Sequence, residues 1–275
     1  MALPSPRTDA GHHGLDTFRS SPDRALAAFD FDGTLAPIVD DPRTSAPHPG
    51  IVPALTALAA HVGAVAVVTG RPAETAVLLG GLAEVPGIVV LGHYGAERWA
   101  EGRVIAADPP PGVNLVREQL PALVDSAGAP EGTWIEDKGR SLAVHTRRAT
   151  DPDTALELLR PHLERLAERA GLVTEPGRMV IELRPQGVDK GAALTSLAHG
   201  TAARSVLYAG DDLGDLPAFG AVAALREEGV PGVTVCSASE EVPEVASRAD
   251  LVVPGPEGLA ELLGDLLAAL RTPAP

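Results

Sequence analysis

The segment Asp30-Phe31-Asp32-Gly33-Thr34-Leu35 sets two carboxylates two residues apart behind an apolar run. In an extended segment, residues two apart point to the same side, so Asp30 and Asp32 are expected to share a face. Gly33 permits a sharp turn after them. A carboxylate can attack phosphorus and form an acyl phosphate. A second carboxylate nearby can protonate the leaving oxygen and then deprotonate the attacking water. The pair repels itself unless a cation lies between, and hard oxygen ligands favour Mg²⁺. Gly210-Asp211-Asp212-Leu213-Gly214-Asp215 adds three carboxylates in five residues. Such a cluster is unfavourable at a strand end unless a cation joins it. The bland alternatives are a strand-ending acidic turn for the first segment and a helix cap, with Asp212 as N-cap, for the second.

Two further pieces suit an anion. Thr69-Gly70-Arg71 offers a hydroxyl, backbone N–H groups at a helix start and a guanidinium, all able to meet phosphate oxygens. Lys190 opens a helix after Val188-Asp189, where an ammonium would offset charge on a phosphate and on Asp30. Among 22 cationic residues only Lys138 and Lys190 are lysines. That scarcity makes both worth explaining, although ordinary surface lysines would give the same count.

The elements that must carry these groups alternate. Ala25–Phe31, Ala64–Val68 and Ile88–Leu91 read as buried strands, separated by helices over Gly50–His61 and Pro72–Leu79. This order predicts a parallel sheet covered on both faces. The rhythm changes at Pro111. A helix to Ala127, strands Thr133–Asp137 and Ser141–Thr146, a helix over Asp151–Ala170, and a hairpin turning at Pro176-Gly177 give an αββαββ order. The first rhythm resumes with a helix from Val188 to His199 and a strand over Ser205–Ala209. A helix over Leu213–Leu225, strands Val233–Cys236 and Leu251–Val253, and a helix over Glu257–Leu270 complete it. The expected fold class is α/β, a Rossmann-like parallel-sheet core with an inserted α+β cap. The expected boundaries are a disordered tail at 1–23, core at 24–109, cap at 110–185 and core again at 186–275. His12-His13 on the tail are read as inert, and the last Pro- and Ala-rich residues as a frayed end. Each chemical segment follows a strand, where open α/β sheets place ligands.

Composition narrows the partners. Hydrophobic residues make up 45% of 275 residues, enough for a sizeable core, and the net charge is −15. An acidic surface disfavours nucleic acid and anionic lipid. No apolar run reaches the roughly 18 residues of a membrane span, and no secretory signal is recognised. The one cysteine, Cys236, excludes an internal disulfide framework. A cytoplasmic, monomeric enzyme is expected.

The four segments in this order resemble the haloacid dehalogenase superfamily of aspartyl-phosphate phosphatases. The resemblance implies Asp30 as nucleophile, Asp32 as general acid and base, and Thr69 and Lys190 as phosphate binders. It implies a Mg²⁺ site from Asp30, Asp211 and the backbone carbonyl of Asp32, with Asp215 orienting metal-bound water. A narrower likeness is carried by Asp30–Pro42, Thr69-Gly70-Arg71 and Gly92-His93-Tyr94-Gly95-Ala96-Glu97. Glu136-Asp137-Lys138, His145-Thr146-Arg147 and Arg178–Pro185 extend it. Together these segments are similar to the trehalose-6-phosphate phosphatase family. That likeness implies trehalose 6-phosphate as substrate, Glu136, Lys138, Arg147, Arg178 and Glu182 as sugar readers, and a functional link to a trehalose-6-phosphate synthase. Gly214 and Leu216 depart from the Thr and Glu that many relatives carry, and Thr146 from a frequent Tyr. The competing readings are a phosphatase for sucrose phosphate or a phosphoglycerate glycoside, and a non-catalytic sugar-phosphate-binding module.

Overall fold

The computed structural model describes residues 3–106, 108–238 and 243–271. The chain forms two compact units, Met1–Ala106 with Asp189–Pro275, and Ala107–Val188. The expected frayed end lies outside the described residues from 272 onward.

In the first unit, α1 (Asp9–Ser20) precedes β1 (Ala25–Phe29), α2 (Ile51–Ala59), β2 (Ala64–Val68), α3 (Ala73–Gly80) and β3 (Val89–Gly92). An antiparallel hairpin, β4 (Glu97–Ala100) and β5 (Arg103–Ala106), follows. The second unit holds α4 (Pro111–Ser126), β6 (Trp134–Asp137), β7 (Leu142–His145), α5 (Pro152–Arg169), β8 (Leu172–Gly177) and β9 (Val180–Pro185). The chain returns with α6 (Lys190–Gly200), β10 (Ser205–Gly210), α7 (Leu216–Glu227), β11 (Gly232–Ala238), α8 (Pro243–Arg248), β12 (Leu251–Pro254) and α9 (Gly255–Arg271). No helix among the described residues is long and apolar enough to cross a membrane.

The large sheet runs β12-β11-β10-β1-β2-β3-β4-β5, with β1 at its centre between β10 and β2. All pairs from β12 to β3 are parallel; β4 and β5 turn antiparallel. Alternation along β1 explains the two layers. Ala25, Ala27 and Phe29 join a core with α1, α2, α3 and α9, while Leu26 and Ala28 join one with α6, α7 and α8. The expected α/β class is thus present. The β4–β5 hairpin and α8 are elements that the sequence reading did not include.

Helix α1 corrects the expected disordered tail. Thr8 caps it by accepting from Gly11 N at 2.9 Å. Gly11, Gly14, Leu15 and Phe18 face inward at i, i+3, i+4, i+7 spacing. Two of those four positions are glycine, which hid the periodicity. A Cβ on Gly14 would stand 1.9 Å from the Gly232 carbonyl oxygen, so glycine is what lets the helix lie against β11. His12 and His13 lie on its exposed side.

In the second unit, the sheet order is β6-β7-β9-β8, antiparallel throughout. One face carries Leu142, Val144, Ile181 and Leu183 against Val113, Val116 and Leu120 of α4 and Leu159, Leu163 and Leu166 of α5. Asp151 caps α5 through Thr154 N at 3.1 Å, as its sequence suggested. The hairpin turn is displaced from its expected place. Gly177 pairs with Val180, so Arg178 and Met179 make the turn, with Met179 at φ +58°. Pro176 is a strand residue because β8 is an edge, where a missing N–H costs no ladder bond.

Candidate active site

The site in the first unit forms where β1, β2 and β10 end. Strand β1 stops at Phe29, two residues earlier than its sequence suggested. Asp30 N donates to Ala209 O at 2.8 Å, and Leu35 N and Ala36 N both donate to Phe31 O at 2.9 Å, curling the segment back. The segment is therefore curled rather than extended here, and the two carboxylates take different partners. Asp30 is buried and meets Lys190 Nζ through Oδ1 at 2.7 Å. Asp32 is gripped elsewhere: Arg71 Nε and Nη2 donate to its two oxygens at 2.6 and 2.7 Å, and Ser45 Oγ donates to Oδ1 at 3.2 Å.

Thr69 and Arg71 follow β2. Thr69 is 1% exposed, and its hydroxyl accepts from Arg71 N at 3.1 Å. Arg71, expected to face a phosphate, is committed to Asp32 and to the Pro42 carbonyl at 2.8 Å. A strained turn braces this loop. His93 (φ +47°) and Tyr94 (φ +58°) donate their backbone N–H groups to Arg71 O and Thr69 O, both at 2.9 Å. Glu97 accepts from Ala73 N at 2.9 Å, at the start of α3. A Cβ on Gly70 would meet the Tyr94 hydroxyl at 2.8 Å.

Lys190 opens α6, whose N-cap Asp189 accepts from Ala192 N at 2.8 Å. It is 4% exposed and reaches both Asp30 and Asp215, the latter at 2.8 Å. Burial alone would lower its pKa, but Asp215 and Asp30 outweigh this and raise it well above the usual value. Asp215 Oδ1 also accepts from Tyr208 OH at 2.6 Å, and Oδ2 from Asp211 N and Asp212 N at 3.0 and 3.2 Å. Asp212 stands at the N-cap position of a short 3-10 turn over Leu213–Asp215. Thr34 Oγ1 donates to Asp211 Oδ1 at 3.2 Å. Gly33 (φ +77°) lies so close that a Cβ there would meet Asp211 Oδ2 at 2.0 Å.

Asp30, Asp211 and Asp215 offer side-chain oxygens that all lie within 4.8 Å of one another, each buried. Against these stands Lys190. Burial, then the neighbouring carboxylates, push Asp30 well above the usual carboxylate range despite Lys190. Burial and Asp215 raise Asp211 to about 8. One ammonium does not offset three buried carboxylates, and their donor set of hard oxygens fits a small dication. The group could hold a metal ion. The Asp32 side chain is not part of it. Asp215 already receives four protein donors, so it anchors Lys190 and the Asp211 loop.

The expected sugar readers lie in the second unit, Glu136 and Glu182 on the sheet face opposite its core and the others in its loops and turns. Glu136, Ala143, Glu182 and Glu175 stand in register across the four strands. Lys138 Nζ and Ser141 Oγ donate to the two oxygens of buried Glu182, each at 2.6 Å. His145 Nε2 lies 2.9 Å from Glu136 Oε2. Arg147 lies in the turn after β7 and Arg178 in the β8–β9 turn. Thr146 N donates to Met179 O at 2.9 Å, which ties those turns together. Sequence reasoning missed Tyr208, and gave Thr34, Ser45 and the Tyr94 turn no role. Tyrosine is as scarce here as lysine, with two in the chain, and both tyrosines are at this site. That was the signal available.

A family model described as Trehalose-phosphatase matches residues 28–255. The trehalose-phosphate phosphatase of Mycobacterium marinum is 36% identical over 263 residues, covering 90% of this chain and 63% of that protein. The chain thus spans less than two thirds of that relative's length. Solved structures share the fold. The C. albicans trehalose-6-phosphate phosphatase C-terminal domain aligns with a TM-score of 0.72 at 20% identity, over 98% of this chain and 99% of that one. The Aspergillus fumigatus trehalose-6-phosphate phosphatase aligns with a TM-score of 0.67 at 23% identity, over 96% and 99%.

Proposed function

The chain belongs to the trehalose-phosphatase family, and from that premise we propose that it hydrolyses trehalose 6-phosphate to trehalose and phosphate. This is a step of trehalose biosynthesis, with a trehalose-6-phosphate synthase as functional partner. The observation that carries the reading is buried Lys190 bridging Asp30 and Asp215 at 2.7 and 2.8 Å beside Asp211. That arrangement gives a nucleophile, an ammonium and an oxygen-rich cation site at the end of β1. A cytoplasmic setting accords with a single buried cysteine.

Asp30 is the attacking group. Its carboxylate forms a bond to phosphorus as the sugar 6-oxygen departs, leaving an aspartyl phosphate. Lys190 and Thr69 hold the phosphoryl oxygens. Asp32, after giving up an Arg71 hydrogen bond and taking a proton from solvent, donates it to the leaving oxygen, and then regains a proton from the water that cleaves the acyl phosphate. Mg²⁺, held by Asp30, Asp211 and the backbone carbonyl of Asp32, would neutralise charge on the phosphate. Asp215 keeps Lys190 aimed at Asp30. Glu136, Lys138, Arg147, Arg178 and Glu182 read sugar hydroxyls, where carboxylates and cations on neighbouring strands can bridge vicinal pairs.

A substrate panel with Mg²⁺ tests the reading. Trehalose 6-phosphate should be turned over with a kcat/KM at least about a hundredfold above glucose 6-phosphate, sucrose phosphate and an aryl phosphate. Equal rates would leave a general phosphatase, and a folded protein inert on every ester would remove the enzyme reading.

A further inference from the structure

Glu136 stands on the rim of the small sheet, with its side chain 44% exposed. A long carboxylate in such a place samples many rotamers unless something selects one. His145 is placed to do so. It lies directly opposite Trp134 in the β6–β7 register, and the rings stack with centroids 4.5 Å apart and planes 5° from parallel. The Arg148 guanidinium lies over the same indole, 4.6 Å from its centroid. Trp134 and Glu136 are two residues apart on β6, hence on one face, and His145 Nε2 reaches diagonally to Glu136 Oε2 at 2.9 Å. With two flat groups already packed on it, the indole is a support for the imidazole rather than a platform for a sugar ring.

We propose that His145 is a positioning residue for substrate recognition, its ring locked by Trp134 and Arg148 so that its N–H fixes Glu136 in the orientation that reads a sugar hydroxyl. The proposal rests on the sugar-reading role of Glu136. It gives the Trp134–His145–Arg148 column a purpose beyond cross-strand stability, namely pre-paid ordering of a recognition carboxylate.

The test compares Glu136→Ala, His145→Phe and His145→Gln on trehalose 6-phosphate and on p-nitrophenyl phosphate. His145→Phe keeps a flat ring on Trp134 and loses the donor. It should raise KM for trehalose 6-phosphate about tenfold, leave kcat within about twofold, and leave the aryl phosphate unaffected. His145→Gln, which keeps a donor of similar reach, should recover much of that loss. In a Glu136→Ala background, His145→Phe should add less than about twofold. A wild-type KM for His145→Phe, with a raised KM for Glu136→Ala, overturns the positioning role and spares the reading of Glu136. Equal losses on both substrates mark a merely structural histidine and overturn it too. A wild-type KM for Glu136→Ala removes the reading beneath it. Should His145→Phe lose its fold by circular dichroism, His145→Asn, too short to reach Glu136, is read by the same criteria.

Discussion

Tyr208 donates its hydroxyl to Asp215 Oδ1 across 2.6 Å, on the same oxygen that receives Lys190. The tyrosine thereby fixes where the carboxylate points and, through it, where the ammonium points. Removing the hydroxyl leaves the ring's edge contact with Phe219 in place, at 6.1 Å between centroids. Tyr208→Phe is expected to lower kcat about tenfold with little change in KM, and stability by about 1–3 kcal/mol for the lost donor. Steady-state kinetics and urea unfolding measure the two. Wild-type kcat would show that Asp215 needs only Lys190 and the two backbone donors.

Asp30→Asn keeps the shape of the nucleophile and removes its charge. Turnover should fall by at least about a thousandfold, while binding of trehalose 6-phosphate by calorimetry stays within about tenfold of wild type. Residual turnover above about 10% would move the nucleophile to another group.

The carboxylate cluster predicts a pH-dependent response to chelation. Without a bound cation, burial and Asp215 raise Asp211 from 3.8 to about 8. Between those values the folded chain holds a proton that the unfolded chain has released. Its contribution to stability is full below the lower value and is lost as pH rises towards the upper one. Tm in chelator should therefore fall from pH 5 to pH 8, and added Mg²⁺ should raise Tm more at pH 8 than at pH 5. A Mg²⁺ effect independent of pH would place the ion away from Asp211.

Helix α1 is expected to contribute to the stability of the first unit. Phe18 is fully buried there. Phe18→Ala should cost about 3–5 kcal/mol in urea unfolding. A loss below about 1 kcal/mol would mean that the helix opens without the core.

Lys138→Ala breaks the contact with Glu182 at 2.6 Å and leaves that carboxylate buried with Ser141. It should lower kcat/KM on trehalose 6-phosphate at least about tenfold and on an aryl phosphate less than about threefold. Parallel losses would assign Lys138 to stability.

Most of the strands were legible because five or six apolar residues in a row announce a buried parallel strand, as Ala64–Val68 does. Helix α1 was not, since glycine fills two of its four inward positions. The carboxylates themselves were plain in sequence, but their partners were not. Arg71 reads as a phosphate ligand and forks Asp32 instead, because β1 ends at Phe29 and the chain curls at once. Asp215 reads as one acid among three and is in fact saturated by donors, two of them backbone N–H groups that no side-chain pattern reveals. Tyr208 lies inside a strand, where an aromatic residue suggests packing alone.

The register of the large sheet sets an order of assembly. Strand β1 finds one neighbour, β2, early in the chain, but its other neighbour is β10, with Ala25 opposite Ser205. The second unit is one continuous stretch with its own apolar core, so it is free to fold before the rest of the chain is made. The larger unit must wait with one edge of β1 uncovered until β10 is made. Lys190 and Asp211 arrive with that same late segment. The nascent chain therefore carries Asp30 without its ammonium or its acidic partners, and acquires the chemistry only as its central strand is closed.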